Sequence, residues 1–306
     1  MDVLEATCVL DAQALVGEGI VWCAAAGKAL WVDVWGRKLH RYDPESGKNE
    51  SWELPEKVGC VAPIDGTHVA VGLESGIYLF DLLSAALTPY FLISGGAIHN
   101  RCNDSVVDPA GRLWCGTMNL QGLAGPATGE LYAVGPQRQG VPLLQGLHLP
   151  NGLACSPDGR TLYLSDSHPS VRTIWKFDLD LAPGRIDNRQ VFMDGRELKG
   201  RPDGATVDVD GCYWTCCIDA GEVLRITPRG NIDCRVRVPV SKPSKVVIGG
   251  SRLDTLYITS IGAKLGSDGR DEALAGGLFA AYVGPIGIAS PRMILNHQET
   301  RNSLCT

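Results

Sequence analysis

The strongest constraint on what this chain can fold into is a phrase that it repeats. The phrase reads RCNDSVVDPAGRLWCGT at 101–117, LPNGLACSPDGRTLYLSD at 149–166, RPDGATVDVDGCYWTCC at 201–217 and KPSKVVIGGSRLDTLYIT at 242–259. Each copy has a polar opener, an apolar run, an Asp-Gly or similar turn, and a strand marked by an aromatic residue. Those aromatics fall at Trp31, Trp114, Tyr163, Trp214 and Tyr257, with gaps of 83, 49, 51 and 43 residues. The first gap holds two units, and the hidden one is CVAPIDGTHVAVGLESGIYLFDL at 60–82. Six units of about fifty residues match the four-stranded blades of a β-propeller.

Local pattern agrees. Short runs such as ALWVDVW, GIYLFDL, ELYAVGP and TIWKFDLD are rich in β-branched and aromatic residues and are bounded by turn signals. Apolar residues almost nowhere recur at helical spacing, and 37 glycines with 18 prolines suit many tight turns. The expectation is an all-β chain, residues 1–306 forming a single six-bladed β-propeller domain of four-stranded blades. A ring needs its seam paired, so ATCVLDA (6–12) is expected to join GGLFAAYV (276–283) as the outer strand of the last blade. A β-sandwich pair or two separate β domains is the alternative.

In a propeller, residues that open equivalent inner strands form a ring near one mouth of the central channel. Here the openers differ: Asn103, Asn151, Asp203 and Ser244, with Glu18 in the first unit thirteen residues before Trp31. Asn-Gly at 151–152 and Asp-Gly at 203–204 also read as ordinary hairpin tips. Against that, a separate turn follows in each copy, at Asp158-Gly159 and Asp210-Gly211. Glu18, Asn151 and Asp203 offer only oxygen donors, which suit one divalent cation such as Ca²⁺, Mg²⁺ or Mn²⁺. Zn²⁺ accepts oxygen but usually brings His or Cys. Three protein ligands leave coordination positions open for water or substrate. Ser244 is expected to line the channel without holding the ion.

Composition removes other classes. A net charge of −6 with no basic stripe leaves nothing to attract nucleic acid. No window is long and apolar enough for a membrane helix, and the start MDVLEATCVLDAQ has no signal-segment pattern. The 11 cysteines form an odd set without a CxxC pair, which reads as buried thiols in a reducing cytoplasm. The six histidines lack HxH or HExxH spacing, the serines lack a GxSxG elbow, and no phosphate loop is present. Gly95-Gly96 reads as a flexible connection.

The phrases VGEGIVW, NRCNDSVVDPAGRLWCGTM, PNGLACSPDGRTLYLSDS and RPDGATVDVDGCYWT resemble the senescence-marker-protein/gluconolactonase family, which includes regucalcin and luciferin-regenerating enzyme. The resemblance runs from about residue 5 to 285. It implies a six-bladed propeller with one divalent ion at the channel mouth, held by Glu18, Asn151 and Asp203. It further implies that Arg101 and Asn103 contact substrate. Some members carry an acidic residue three positions after GTM, where this chain has Gln121. An amide donates as well as accepts, so hydroxyl preference would differ there, unless Gln121 is simply a solvated loop residue.

The resemblance thus implies a sugar lactonase that opens an aldono-1,4- or 1,5-lactone, the ion polarising the carbonyl and Asp203 orienting or deprotonating water. Whether Asp203 or hydroxide on the ion is the base stays open. Phosphotriester or aryl-ester hydrolysis, calcium-dependent regulation without turnover, and a protein-binding scaffold are the rivals. The loops that would read the sugar, around 119–129 and 262–275, carry no decodable signal.

Overall fold

The repeated phrase folds as an antiparallel hairpin with the marker aromatic on its second strand. Trp31, Trp114, Tyr163, Trp214 and Tyr257 lie in strands Lys28–Asp33, Leu113–Asn119, Thr161–Asp166, Tyr213–Ile218 and Thr255–Ser260. The turn half of the phrase has a physical reason. Asp108 is fully buried; its Oδ1 accepts the backbone N–H groups of Ala110 and Arg112, and its Oδ2 accepts Trp114 Nε1 at 2.9 Å. Asp208 repeats this with Asp210, Cys212 and Trp214. One carboxylate therefore shapes the turn and satisfies the buried indole N–H. In the copy at 149–166 Ser156 takes the Asp position, and the aromatic is Tyr163, which has no indole to hold.

The computed structural model describes residues 2–93, 99–263, 272–284 and 286–296. The Gly95-Gly96 connection and most of the 262–275 loop lie outside the described residues. The strands form six sheets, five of four strands and one of five. The inner strands of blades 1 to 6 are Gly17–Cys23, Val58–Pro63, Asn100–Val107, Pro150–Cys155, Arg201–Val207 and Pro243–Gly249. Each contacts the next, and the sixth contacts the first. That is a closed six-bladed β-propeller. Among the described residues the only helical pieces are two short 3₁₀ turns, and no helix is long and apolar enough to cross a membrane.

The seam closes as expected. Strand Thr7–Leu10 pairs antiparallel with Leu278–Tyr282 as the outer strand of blade 6. The stretch before it, Asp2–Glu5, pairs parallel with Ile232–Arg237 and gives blade 5 its fifth strand. One N-terminal segment thus bridges two blades. The core lies between blades: Trp114 packs against Leu153, Leu162 and Phe177 of blade 4, and Trp214 against Val246, Ile248 and Phe279 of blade 6. Among the described residues ten cysteines are free, most of them buried.

After the last strand the chain crosses the mouth of the channel opposite the openers. Its backbone bonds link Ile286 to Val209, Gly287 to Leu253, Met293 to Pro63 and Ile294 to Gly111. Residues 286–294 therefore run from blades 5 and 6 to blades 2 and 3. Ile288 to Pro291 cap a cavity of about 130 Å³ inside the channel.

Candidate functional site

All six inner strands break their pairing register near their first residues. The shifts fall between Glu18 and Val21, Val58 and Cys60, Cys102 and Ser105, Asn151 and Ala154, Pro202 and Ala205, and Pro243 and Val246. A bulge at each opener bends the strand and re-aims its side chain. Asn151-Gly152 is thus part of a strand and not a hairpin tip. Gly152 has φ of 62°, and a Cβ there would stand 2.2 Å from the Tyr213 hydroxyl. That hydroxyl donates to the Gly152 carbonyl at 2.8 Å and pins the bulge.

The openers of blades 3, 4 and 5 are joined by hydrogen bonds. Asn103 Nδ2 donates to Asn151 Oδ1 at 2.7 Å and to the Pro150 carbonyl at 3.0 Å. Asn151 Nδ2 donates to Ser167 Oγ at 3.0 Å, and Ser167 Oγ donates onward to the Pro202 carbonyl, next to Asp203. Blade 1 adds Glu18, whose Oε2 accepts the Gly19 N–H at 2.9 Å. Blade 2 has Gly59 in this slot, where a Cβ would stand 2.1 Å from the Cys102 carbonyl oxygen. It contributes no side chain because there is no room for one. Ser244 of blade 6 is fully buried, donating to the Gly17 carbonyl and pairing with Thr259 Oγ1. It staples blade 6 to blade 1, and its neighbour Lys245 enters the channel instead.

Electrostatics ties Glu18 to Asp203. Burial raises the Glu18 carboxyl from 4.5 to about 7, helped by the nearby Asp104. Burial also lifts Asp203 well above the carboxylate range, and Glu18 adds to the lift. The charge of Glu18 thus acts on Asp203, and burial makes both acids harder to ionise than free carboxylates. Arg101 is half-buried, and burial lowers its pKa while Glu18 opposes the fall. Its Nη1 donates to the Cys102 carbonyl at 2.8 Å.

This donor set fits a hard divalent cation: two carboxylates that need a counter-charge and one amide oxygen held toward Asn103. Among the described residues no group of three or more His, Cys, Asp and Glu side chains is placed to hold a metal. Gln121 stands apart. It is exposed, it precedes the 3₁₀ turn Gly122–Ala124, and its backbone N–H donates to Asn119 Oδ1 at 3.0 Å.

Three participants in this geometry escape the repeat logic: Ser167, Asp104 and Lys245. Asp104 and Lys245 each follow an opener, and a charged residue at the start of an otherwise apolar inner strand was the available signal. Ser167 follows the second strand of blade 4, and nothing in its local sequence distinguishes it.

The family profile described as SMP-30/Gluconolactonase/LRE-like region matches residues 16–262. A 6-deoxy-6-sulfogluconolactonase of Pseudomonas putida is 36% identical over 290 residues, covering 93% of this chain and 97% of that protein. An L-arabinolactonase of Azospirillum brasilense is 33% identical over 297 residues, covering 94% and 95%. Among solved structures, a calcium-binding protein, regucalcin, from Agrobacterium tumefaciens superposes with a TM-score of 0.89 at 27% identity, covering 96% of this chain and 99% of that one. With the ring of six blades, the bulged openers and a profile match over most of its length, the chain belongs to the SMP-30/gluconolactonase/LRE-like family.

Proposed function

We propose that this chain is a sugar lactonase that opens an aldono-1,4- or 1,5-lactone to the free aldonic acid, with residues 1–306 working as one propeller domain. Family membership and the lactonase names of two relatives support the reaction class. One names a hexonolactone bearing sulfur and the other a pentonolactone, so the class rather than the sugar is proposed. The observation that carries the reading is the convergence of Glu18, Asn103, Asn151 and Asp203 from four blades on one channel mouth. Buried free thiols favour a reducing, cytoplasmic setting.

Glu18, Asn151 and Asp203 would hold one divalent ion: Ca²⁺, Mn²⁺, Mg²⁺ or Zn²⁺. When bound, that ion supplies Lewis acidity toward the lactone carbonyl and the charge that develops on its oxygen. Asp203, once ionised, orients the attacking water and takes its proton. The ring opens as the water oxygen bonds to the carbonyl carbon and the bond from that carbon to the ring oxygen breaks, the ring oxygen leaving as a sugar hydroxyl with the proton that Asp203 took from water. Arg101 and Asn103 hold sugar hydroxyls: Arg101 through guanidinium donors beyond Nη1, and Asn103 from the wall between blades 3 and 4. Gln121, exposed at the rim, reaches a hydroxyl further from the carbonyl, where its amide both donates and accepts.

The test is a pH-indicator assay on metal-stripped enzyme with a panel of aldonolactones crossed against the four ions. Acid release with at least one lactone in at least one ion supports the reading, and silence throughout rejects it. A second reading, calcium binding without turnover, is favoured by the likeness to the calcium-binding Agrobacterium protein. It requires tight Ca²⁺ binding and silence in every arm of the same grid.

A further inference from the structure

The reaction leaves one buried ion pair without a role. Lys245 follows Ser244 on the inner strand of blade 6, and Asp104 follows Asn103 on the inner strand of blade 3. Blades 3 and 6 are opposite in a six-membered ring, so this pair spans the channel. Lys245 and Asp104 are only 3% and 2% exposed. The ammonium donates to Asp104 Oδ1 and to the Ser105 carbonyl at 3.2 Å, while Asp104 Oδ2 accepts the Leu153 N–H at 2.8 Å. Gly204, next to Asp203, makes room for the crossing: a Cβ there would stand 2.5 Å from Lys245 Cβ and Cγ.

The bridge has a distinct upper and lower side. Above it, one residue back along both strands, lies the ring of openers. Below it, Lys245 and Ser105 line the capped cavity with Val106, Leu153 and Val246. Its charges also reach the cup, Asp104 acting on both Glu18 and Asp203 in one direction and Lys245 in the other. Three carboxylates and one ammonium therefore share a space largely closed to solvent, where each charge acts strongly.

We infer that the Asp104–Lys245 bridge is the electrostatic floor of the cup, Lys245 cancelling Asp104 so that a cation above meets only the two negative charges of Glu18 and Asp203. The inference rests on reading Glu18, Asn151 and Asp203 as the ion-holding side chains. Both floor residues are positioning residues, acting on the ion through charge and not by contact with substrate. Without Lys245 the cup holds a third unbalanced carboxylate. Without Asp104 it holds an ammonium that competes with the ion for Glu18 and Asp203.

The test is the dissociation constant of Mn²⁺ by calorimetry at pH 7.5, on the full chain stripped of metal, for wild type, D104N, K245M and the double variant. D104N is expected to weaken Mn²⁺ at least tenfold, K245M to tighten it at least threefold, and the double variant to lie within threefold of wild type. Opposite signs are the signature, because a loss of folding moves both single variants the same way. If one single variant does not fold, the sign of the other decides. Shifts of the same sign, or none beyond threefold, overturn the floor. A wild type that binds no Mn²⁺ overturns the ion-holding reading and the floor together, which separates the two failures.

Discussion

Asn103 Nδ2 and Asn151 Oδ1 sit 2.7 Å apart across the boundary of blades 3 and 4. The contact has one orientation because Asn151 Nδ2 is already committed to Ser167 Oγ. The amide oxygen therefore faces Asn103 and its nitrogen faces Ser167. A groove-lining asparagine without that anchor could present either end.

Ser167→Ala removes the anchor without touching the proposed ion. Residues that orient a ligand side chain change metal affinity by roughly 10- to 100-fold when lost. A loss of affinity in that range is expected, read by Mn²⁺ titration, along with a stability cost of about 1–3 kcal/mol without metal, because the Asn151 amide and the Pro202 carbonyl lose a buried partner. A retained affinity would show that Asn151 needs no orientation from Ser167.

Asp203→Asn keeps the shape and an oxygen but removes charge and base. Turnover is expected to fall about 10²- to 10⁴-fold, the range of a lost general base. Stability moves the other way. Folding lifts the Asp203 carboxyl well above its ordinary range, chiefly through burial. At pH 7 the ionised form is thus a cost to the metal-free fold, which the amide avoids. A higher melting temperature without metal, alongside lost activity, is the paired outcome to measure.

The repeat made the architecture legible because blade-forming residues obey it. Trp114 and Trp214 each have a turn aspartate six residues upstream, and the same side chain bonds both the turn and the indole. Registry also singled out Glu18, Asn151 and Asp203 as the proposed ion-holding residues, since all occupy one slot of one phrase. The remaining features follow local sequence less closely, for physical reasons. Ser244 shares the slot, yet its short hydroxyl reaches the Gly17 carbonyl of the next blade. Lys245 and Asp104 pair across 141 residues of sequence, a distance that no local pattern encodes. Gln121 follows the phrase on a turn, where strand registry no longer dictates direction.

Asp208 tests the structural half of the phrase. It is fully buried and accepts from Trp214 Nε1, from Arg225 Nε at 2.7 Å and from two backbone N–H groups. Asp208→Ala strands those donors and should cost about 3–5 kcal/mol, as for a broken buried pair. Asp158 is exposed and makes only a local turn, so Asp158→Ala should cost about 1 kcal/mol or less. Urea unfolding of both variants checks the contrast, and equal costs would contradict it.

His40 gives the fold an acid limit. Its ring stacks on Trp31 at 3.9 Å, its Nδ1 pairs with Asn49 at 3.0 Å, and burial lowers its pKa from 6.5 to about 4. The native state thus disfavours the imidazolium that the unfolded chain accepts below pH 6.5. Stability from this source is complete above pH 6.5 and declines as pH falls toward 4. The total is about 3 kcal/mol, from the value of one pKa unit. His40→Phe keeps the stacking and should flatten stability against pH across that window.

The central claim is that Glu18, Asn151 and Asp203 hold one divalent ion that a sugar lactone needs for hydrolysis. It is tested most directly by initial rates of aldonolactone opening on metal-stripped wild type and Asp203→Asn, before and after one equivalent of Mn²⁺, Ca²⁺, Mg²⁺ or Zn²⁺. Turnover that is absent without metal, returns with an ion in the wild type and stays at least 10²-fold lower in the variant is the predicted result. Full turnover by the stripped protein, or an Asp203→Asn variant restored as well as wild type, would contradict it.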